Sequence, residues 1–183
     1  MKLLKNRNFA ILLTIIVAVL ATLFGVGRSL NRLTRNVEAM YYVDVDEYGI
    51  KQPDIDHLLS NRANTALALL PVFDNYPELK DEADALRAAR QELLAAKDIP
   101  EKALSNARLQ QAFETLAEKS GRLDLSERDR NIINMHSDDF SGAQTAILNS
   151  RYNRNVSSYM DGASFLAQAL KPFVFVRPPQ AFA

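Results

Sequence analysis

Phe9 to Val26 reads FAILLTIIVAVLATLFGV, 18 consecutive positions without a charged residue. Basic residues stand on both sides, Lys2, Lys5 and Arg7 before the run and Arg28, Arg32 and Arg35 after it. At ~1.5 Å of rise per residue such a helix covers ~27 Å, close to a hydrocarbon thickness of ~30 Å. The run therefore predicts a membrane anchor. A cleaved secretory signal is the rival reading, since a basic start, an apolar stretch and a small-x-small site at Gly25-Val26-Gly27 are all present. Two features favour the anchor. The run is longer than an ordinary signal core, with no turn residue between Phe9 and Phe24, and it does not relax into a coil afterwards. Leu30, Leu33, Val37 and Met40 recur at spacings of three, four and three, which carries one apolar stripe beyond the bilayer.

Composition narrows the rest. The chain has 183 residues, and what lies beyond the anchor suits a single domain with its own core. Lysines and arginines number 22 and so do the acids, so no global field draws the chain to nucleic acid, which is excluded as a partner. The absence of cysteine removes disulfides, thiolate metal sites and a Cys nucleophile. Charge on the two flanks of the apolar run is nearly balanced. The small bias places the amino terminus in the cytoplasm and the bundle on the extracytoplasmic side of the cell membrane.

Along the chain, VDVDEYGIKQP from Val43 to Pro53 breaks the periodicity and reads as a connection. Asp54 can cap a helix over Ile55 to Asn75, with Ile55, Leu58, Leu59, Ala66, Leu67, Leu70 and Phe73 on one face, Arg62 and Asn64 off it, and a bend at Pro71. Pro77 starts a helix carrying Leu79, Ala83, Leu86, Arg90 and Leu93 to about Lys97. Asp98-Ile99-Pro100-Glu101 repeats the device for a segment that turns Leu104, Ala107, Phe113 and Leu116 inward. The spacing leaves open whether Pro100 separates two helices or kinks one. Ser126 and Asp129 resemble a capping box opening one long last helix bearing Ile133, Phe140, Ile147, Tyr152, Val156, Tyr159, Ala163 and Leu166. The only strand-like alternation, Phe173 to Val176, is closed by Pro178 and Pro179. These signals predict an all-α chain: an anchor over 1–28, an antiparallel bundle of three or four long helices over 29–171, and an extended apolar tail over 172–183.

Motifs for chemistry are sparse. His57 and His136 lack a partner at H-x-x-x-H spacing, and His136 with Asp139, three apart on a helix, reads as a solvated pair. Asp44-Val45-Asp46-Glu47-Tyr48-Gly49 starts like a calcium loop, but Tyr48 and Ile55 stand where the fifth and twelfth ligands belong. No nucleophile elbow or phosphate loop accompanies the serines and glycines, so no catalytic, cofactor or metal residue is assigned. Tyr152, Val156 and Tyr159 fall on one stripe with Asn153 beside it, a pattern that suits bundle packing or, through its polar tips, an interaction surface.

Tyr152-Asn153-x-x-Val156-x-x-Tyr159 resembles the carboxy-terminal motif of the LemA family. The order of other features is similar too: an amino-terminal span, Tyr76-Pro77-Glu78-Leu79-Lys80, the Leu86-Arg87-Ala88-Ala89-Arg90 stretch, and the apolar end from Phe175 to Phe182. Met160 stands where the family has Asn, so the chain reads as a divergent member. The resemblance implies a membrane-tethered long-helix bundle and no established enzymatic activity. The reading is an interaction or scaffold protein at the bacterial cell membrane, held in the bilayer by Phe9 to Val26, with a protein partner in the membrane or envelope. Self-association through Leu30, Leu33, Val37 and Met40 is compatible with it. A small-molecule-sensing helical domain is the alternative, and a metal-dependent enzyme using His136 and Asp139 rests on less.

Overall fold

The computed structural model describes residues 7–47, 50–170 and 178–182, with the backbone only at 45–47, 50–52, Ser164 and Leu166. The strand-like segment Phe173 to Val176 lies outside the described residues. Six α-helices account for most of the chain: α1 (Arg7–Ala39), α2 (Ile55–Phe73), α3 (Lys80–Ala95), α4 (Ile99–Ser120), α5 (Glu127–Leu148) and α6 (Arg151–Leu170). By compactness they fall into two units, Met1–Ala39 with Asn155–Pro179, and Met40–Arg154 with Gln180–Ala183.

In the first unit α1 runs unbroken from the apolar stretch into the stripe beyond it. Leu30 joins Tyr159, Ala163 and Ala167 of α6 in one cluster, with Val26 and Leu170 packed against it. Two alanines at i and i+4 let the helix backbones approach closely. Leu33, expected on the same stripe, is 43% exposed, and Thr34 is buried in its place.

The second unit is a four-helix bundle, α2 packing on α3 and α5, and α3 on α4. Short connections force sequential helices to run antiparallel. Each start has a local cause. Asp54 accepts from His57 N at 2.6 Å, Asp98 from Glu101 N at 2.9 Å, and Ser126 from Asp129 N at 3.1 Å. Such a cap contributes about 1 kcal/mol. Pro77 opens a 3-10 turn, Pro77–Leu79, that leads into α3, and Pro100 sits in the first turn of α4 after the break at Ala96–Asp98. Two helices, not one kinked helix, are thus the answer there.

Four expectations need correction. The connection after α1 contains a hairpin, β1 (Val45–Glu47) pairing antiparallel with β2 (Ile50–Gln52), and Asp44 Oδ1 accepts from Asp54 N at 3.0 Å just beyond it. Pro71 falls in the last turn of α2, which ends at Phe73 instead of running on to Asn75. The inward face of α4 is Leu109, Phe113 and Leu116 with Ser105 and Asn106, whereas Leu104 is 57% exposed and Ala107 faces solvent. The last helix is two helices, broken at Asn149–Ser150. Its predicted stripe steps by seven, seven, then five from Ile133 through Phe140 and Ile147 to Tyr152, and that five-residue step is where one helical face cannot continue.

Candidate functional site

The break between α5 and α6 builds the most specific arrangement in the molecule. Ser150 Oγ accepts from Asn153 N at 3.1 Å, the geometry of an N-cap, so α6 restarts with a new phase and turns the Asn153 amide back toward the end of α5. Asn153 Nδ2 donates to the carbonyl of Ile147 at 3.0 Å, which also accepts from Ser150 N at 3.1 Å, so two donors close the end of α5. The same amide meets the backbone of Phe182 twice. Nδ2 donates to the Phe182 carbonyl at 3.0 Å and Oδ1 accepts from Phe182 N at 3.0 Å. One side-chain amide therefore offers Phe182 the donor and acceptor that a neighbouring strand would offer. Next to it, Tyr152 Oη donates to the carbonyl of Gln180 at 2.7 Å.

The Phe182 ring occupies an aromatic socket and is 3% exposed. It stacks on Tyr41 at 5.7 Å and meets Tyr152 nearly edge-on at 6.2 Å, while Tyr41 and Tyr152 are themselves T-shaped at 5.7 Å. These offset and edge geometries are the ones the ring quadrupoles prefer. Tyr41 is fully buried, and its hydroxyl donates to Asp56 Oδ1 at 3.4 Å. Burial, with Asp56 beside it, pushes that phenol far above its ordinary range, so it stays a donor. Lys102 forms an ion pair with Asp56 and lies 5.7 Å from the centre of the Tyr41 ring. The socket wall is thus fixed by α2 and α4, independently of Phe182.

A second polar cluster lies inside the four-helix bundle. Arg62 is fully buried in α2, and its guanidinium donates to the amide oxygens of Asn106 and Gln110 from α4 and to Gln144 Oε1 from α5 at 2.6 Å. Asn106 Nδ2 donates to the same Gln144 oxygen at 3.1 Å. The Phe140 ring centre lies 4.1 Å from the guanidinium carbon, a cation–π contact, and Phe113 stacks on Phe140 at 4.1 Å. Neutral amides hold the charge here. Burial lowers the arginine pKa to about 10, a shift Glu114 opposes from a distance, and the group remains a cation at neutral pH.

Of the stripe singled out in the sequence, Tyr152 and Asn153 thus hold Gln180 to Phe182, whereas Val156 is buried and Tyr159 belongs to the Leu30 cluster of the other unit. The Tyr159 hydroxyl is buried without a hydrogen-bond partner among the described residues, unlike that of Tyr152. His136 and Asp139 lie 3.8 Å apart on α5, and His57 is exposed. Among the described residues no three His, Asp or Glu side chains gather as a metal site would require.

Sequence reasoning missed Tyr41, Phe182 and Arg62. For Arg62 a signal existed: Ile55, Leu59, Arg62, Ala66, Leu69 and Phe73 step by four, three, four, three and four, with the arginine in the seam. For Phe182 none did, since pairing with a residue 29 positions away is a tertiary fact. Compared with family models, curated proteins and solved structures, the chain matches none.

Proposed function

We propose that this chain is a single-pass protein of the cell membrane whose helical bundle acts as an interaction or scaffold module, related to the LemA family as a divergent member. The observation that carries the reading is α1. It is the one helix among the described residues long and apolar enough to cross a membrane, and no part of its apolar window is buried against the rest of the protein. Leu12, Leu20 and Phe24 are 55%, 59% and 69% exposed, and a bilayer is the solvent that suits such a surface. The extracytoplasmic side is the proposed location of that bundle.

The test has two parts. The full chain should stay in the membrane pellet through an alkaline carbonate wash, and in-membrane cross-linking followed by detergent purification should recover one partner at near-stoichiometric yield. Release by carbonate would remove the anchor, and recovery of no stoichiometric partner would remove the interaction role. Sidedness is read with Lys97→Cys, an exposed position in a chain with no other cysteine. Labelling of intact cells by an impermeant maleimide supports the extracytoplasmic side, and labelling only after lysis reverses it.

A further inference from the structure

We infer that the cleft formed by Tyr41, Tyr152 and Asn153 is a recognition site for an extended peptide segment carrying one aromatic side chain, held in cis by Gln180 to Phe182 and opened to a partner's segment of the same chemistry. The inference rests on the interaction role proposed above and names the class of partner.

Three observations support it. Among the described residues, the three hydrogen bonds between cleft and occupant go to the occupant's main chain, at Gln180 O, Phe182 N and Phe182 O. Any extended polypeptide supplies those groups, as in recognition by strand addition. The one buried side chain of the trio is the Phe182 ring, while Gln180 and Ala181 are exposed, so side-chain selection reduces to one aromatic in one socket. Two of the three walls, finally, are held by contacts that do not involve the occupant. Tyr41 is fixed through Asp56 and Lys102, and Asn153 through Ile147 and Ser150. A cleft that keeps its shape when emptied loses little ordering entropy on refilling, which is what a binding site requires and a mere packing contact does not. The occupant held in cis competes with any added peptide, so a free peptide meets a filled site in the unaltered chain.

The probe is a fluorescent peptide with the sequence RPPQAFA, that of Arg177 to Ala183, added to the full chain in detergent and followed by anisotropy. Phe182→Ala empties the socket and should bind the peptide at least about tenfold more tightly than the unaltered chain does. The same peptide with Ala for Phe, or the Phe182→Ala chain further altered by Asn153→Ala, should lose that gain. A second measurement needs no altered protein: excess peptide added to the unaltered chain should lower hydrogen-exchange protection of the Phe182 amide and leave the amides of α2 to α5 unchanged. Equal binding to both chains, or loss of protection throughout the bundle together with Phe182, overturns the inference. Loss of the helical signal in Phe182→Ala, with Phe182 protection unmoved by peptide in the unaltered chain, makes the ring a core residue and overturns it too. Both readings are taken without membrane or partner, so failure here leaves the cross-linking result standing, and failure there leaves the cleft.

Discussion

Arg62 and Asn153 are both polar side chains that satisfy several buried groups at once, yet they do so for different purposes. The partners of Arg62 are Asn106, Gln110 and Gln144, all on helices of one bundle. Those groups meet only when α2, α4 and α5 pack together, so the network is a condition of folding. Asn153 divides its bonds between the end of α5 and a segment outside any helix, Phe182. Its outward bonds can break without moving a helix. A polar network closed within one packing unit specifies the fold, and one that reaches into a separate segment specifies an exchange.

The largest effect should come from breaking the closed network. Arg62→Ala leaves the amide oxygens of buried Asn106 and half-buried Gln144 with fewer donors and removes the cation from the Phe140 face, and it should cost about 3 kcal/mol or more in urea unfolding. A cost below about 1 kcal/mol would show that water reaches the cluster and would erase the distinction drawn above. Arg62→Met combined with Asn106→Leu and Gln144→Leu removes the polar demand along with the charge, and should recover much of the loss.

Asn153→Ala should cost less, about 1 to 2 kcal/mol, because the Phe182 backbone groups can turn to water and only the Ile147 carbonyl stays near a helix end. Its diagnostic is local. Protection of the Phe182 amide should collapse in hydrogen exchange while the urea midpoint of the bundle moves by less than in Arg62→Ala. Equal shifts in both would mean that Gln180 to Phe182 is an integral part of the bundle.

The same contrast explains what could be read before folding. Helix starts were legible because capping and proline chemistry are local: Asp54, Asp98 and Ser126 each accept the expected amide. Faces were legible where apolar residues filled them, as in Leu79, Ala83, Leu86 and Leu93, all buried. They failed where a polar residue sat in the seam. The apolar pattern leaves Arg62 off the face and puts Leu67 on it, whereas Arg62 is fully buried and Leu67 is 47% exposed. Asn106 repeats the case in α4, where the inward phase was assigned to Leu104. In both helices the polar chemistry misleads, since the compensating partners lie 38 to 82 residues away. Half of the Tyr152-Asn153-x-x-Val156-x-x-Tyr159 stripe proved to be packing and half a clamp, a division set by the restart of α6 that the regular spacing conceals.

Tyr152→Phe sharpens the clamp by a single bond. The ring keeps its contacts with Tyr41 and Phe182, and among the described residues the donation to Gln180 O is what is lost, so docking of the segment should weaken by about 1 kcal/mol. Exchange at Phe182 should quicken by a corresponding factor of about five, with the bundle midpoint unchanged.

The smallest effect extends the comparison to a polar cluster whose members face water. Asp129 Oδ2 accepts from Tyr76 Oη at 2.7 Å and from Ser126 Oγ at 2.8 Å, and these bonds hold its carboxyl below the ordinary range. Lys119 does the same for Glu82 through contacts at 2.7 and 2.8 Å. A carboxyl whose pKa is lower in the folded than in the unfolded chain adds stability above the unfolded value, near ~3.9 for Asp, and that stability is lost as pH falls through the folded value. In that window the unfolded chain binds more protons, so stability rises with pH. Asp129→Asn should therefore flatten the acid limb of a plot of urea midpoint against pH and leave the neutral plateau nearly in place, since solvent already competes for each of these bonds. An acid limb unchanged by Asp129→Asn, yet flattened by Glu82→Gln, would assign the acid sensitivity to the α3–α4 contact instead of to the start of α5.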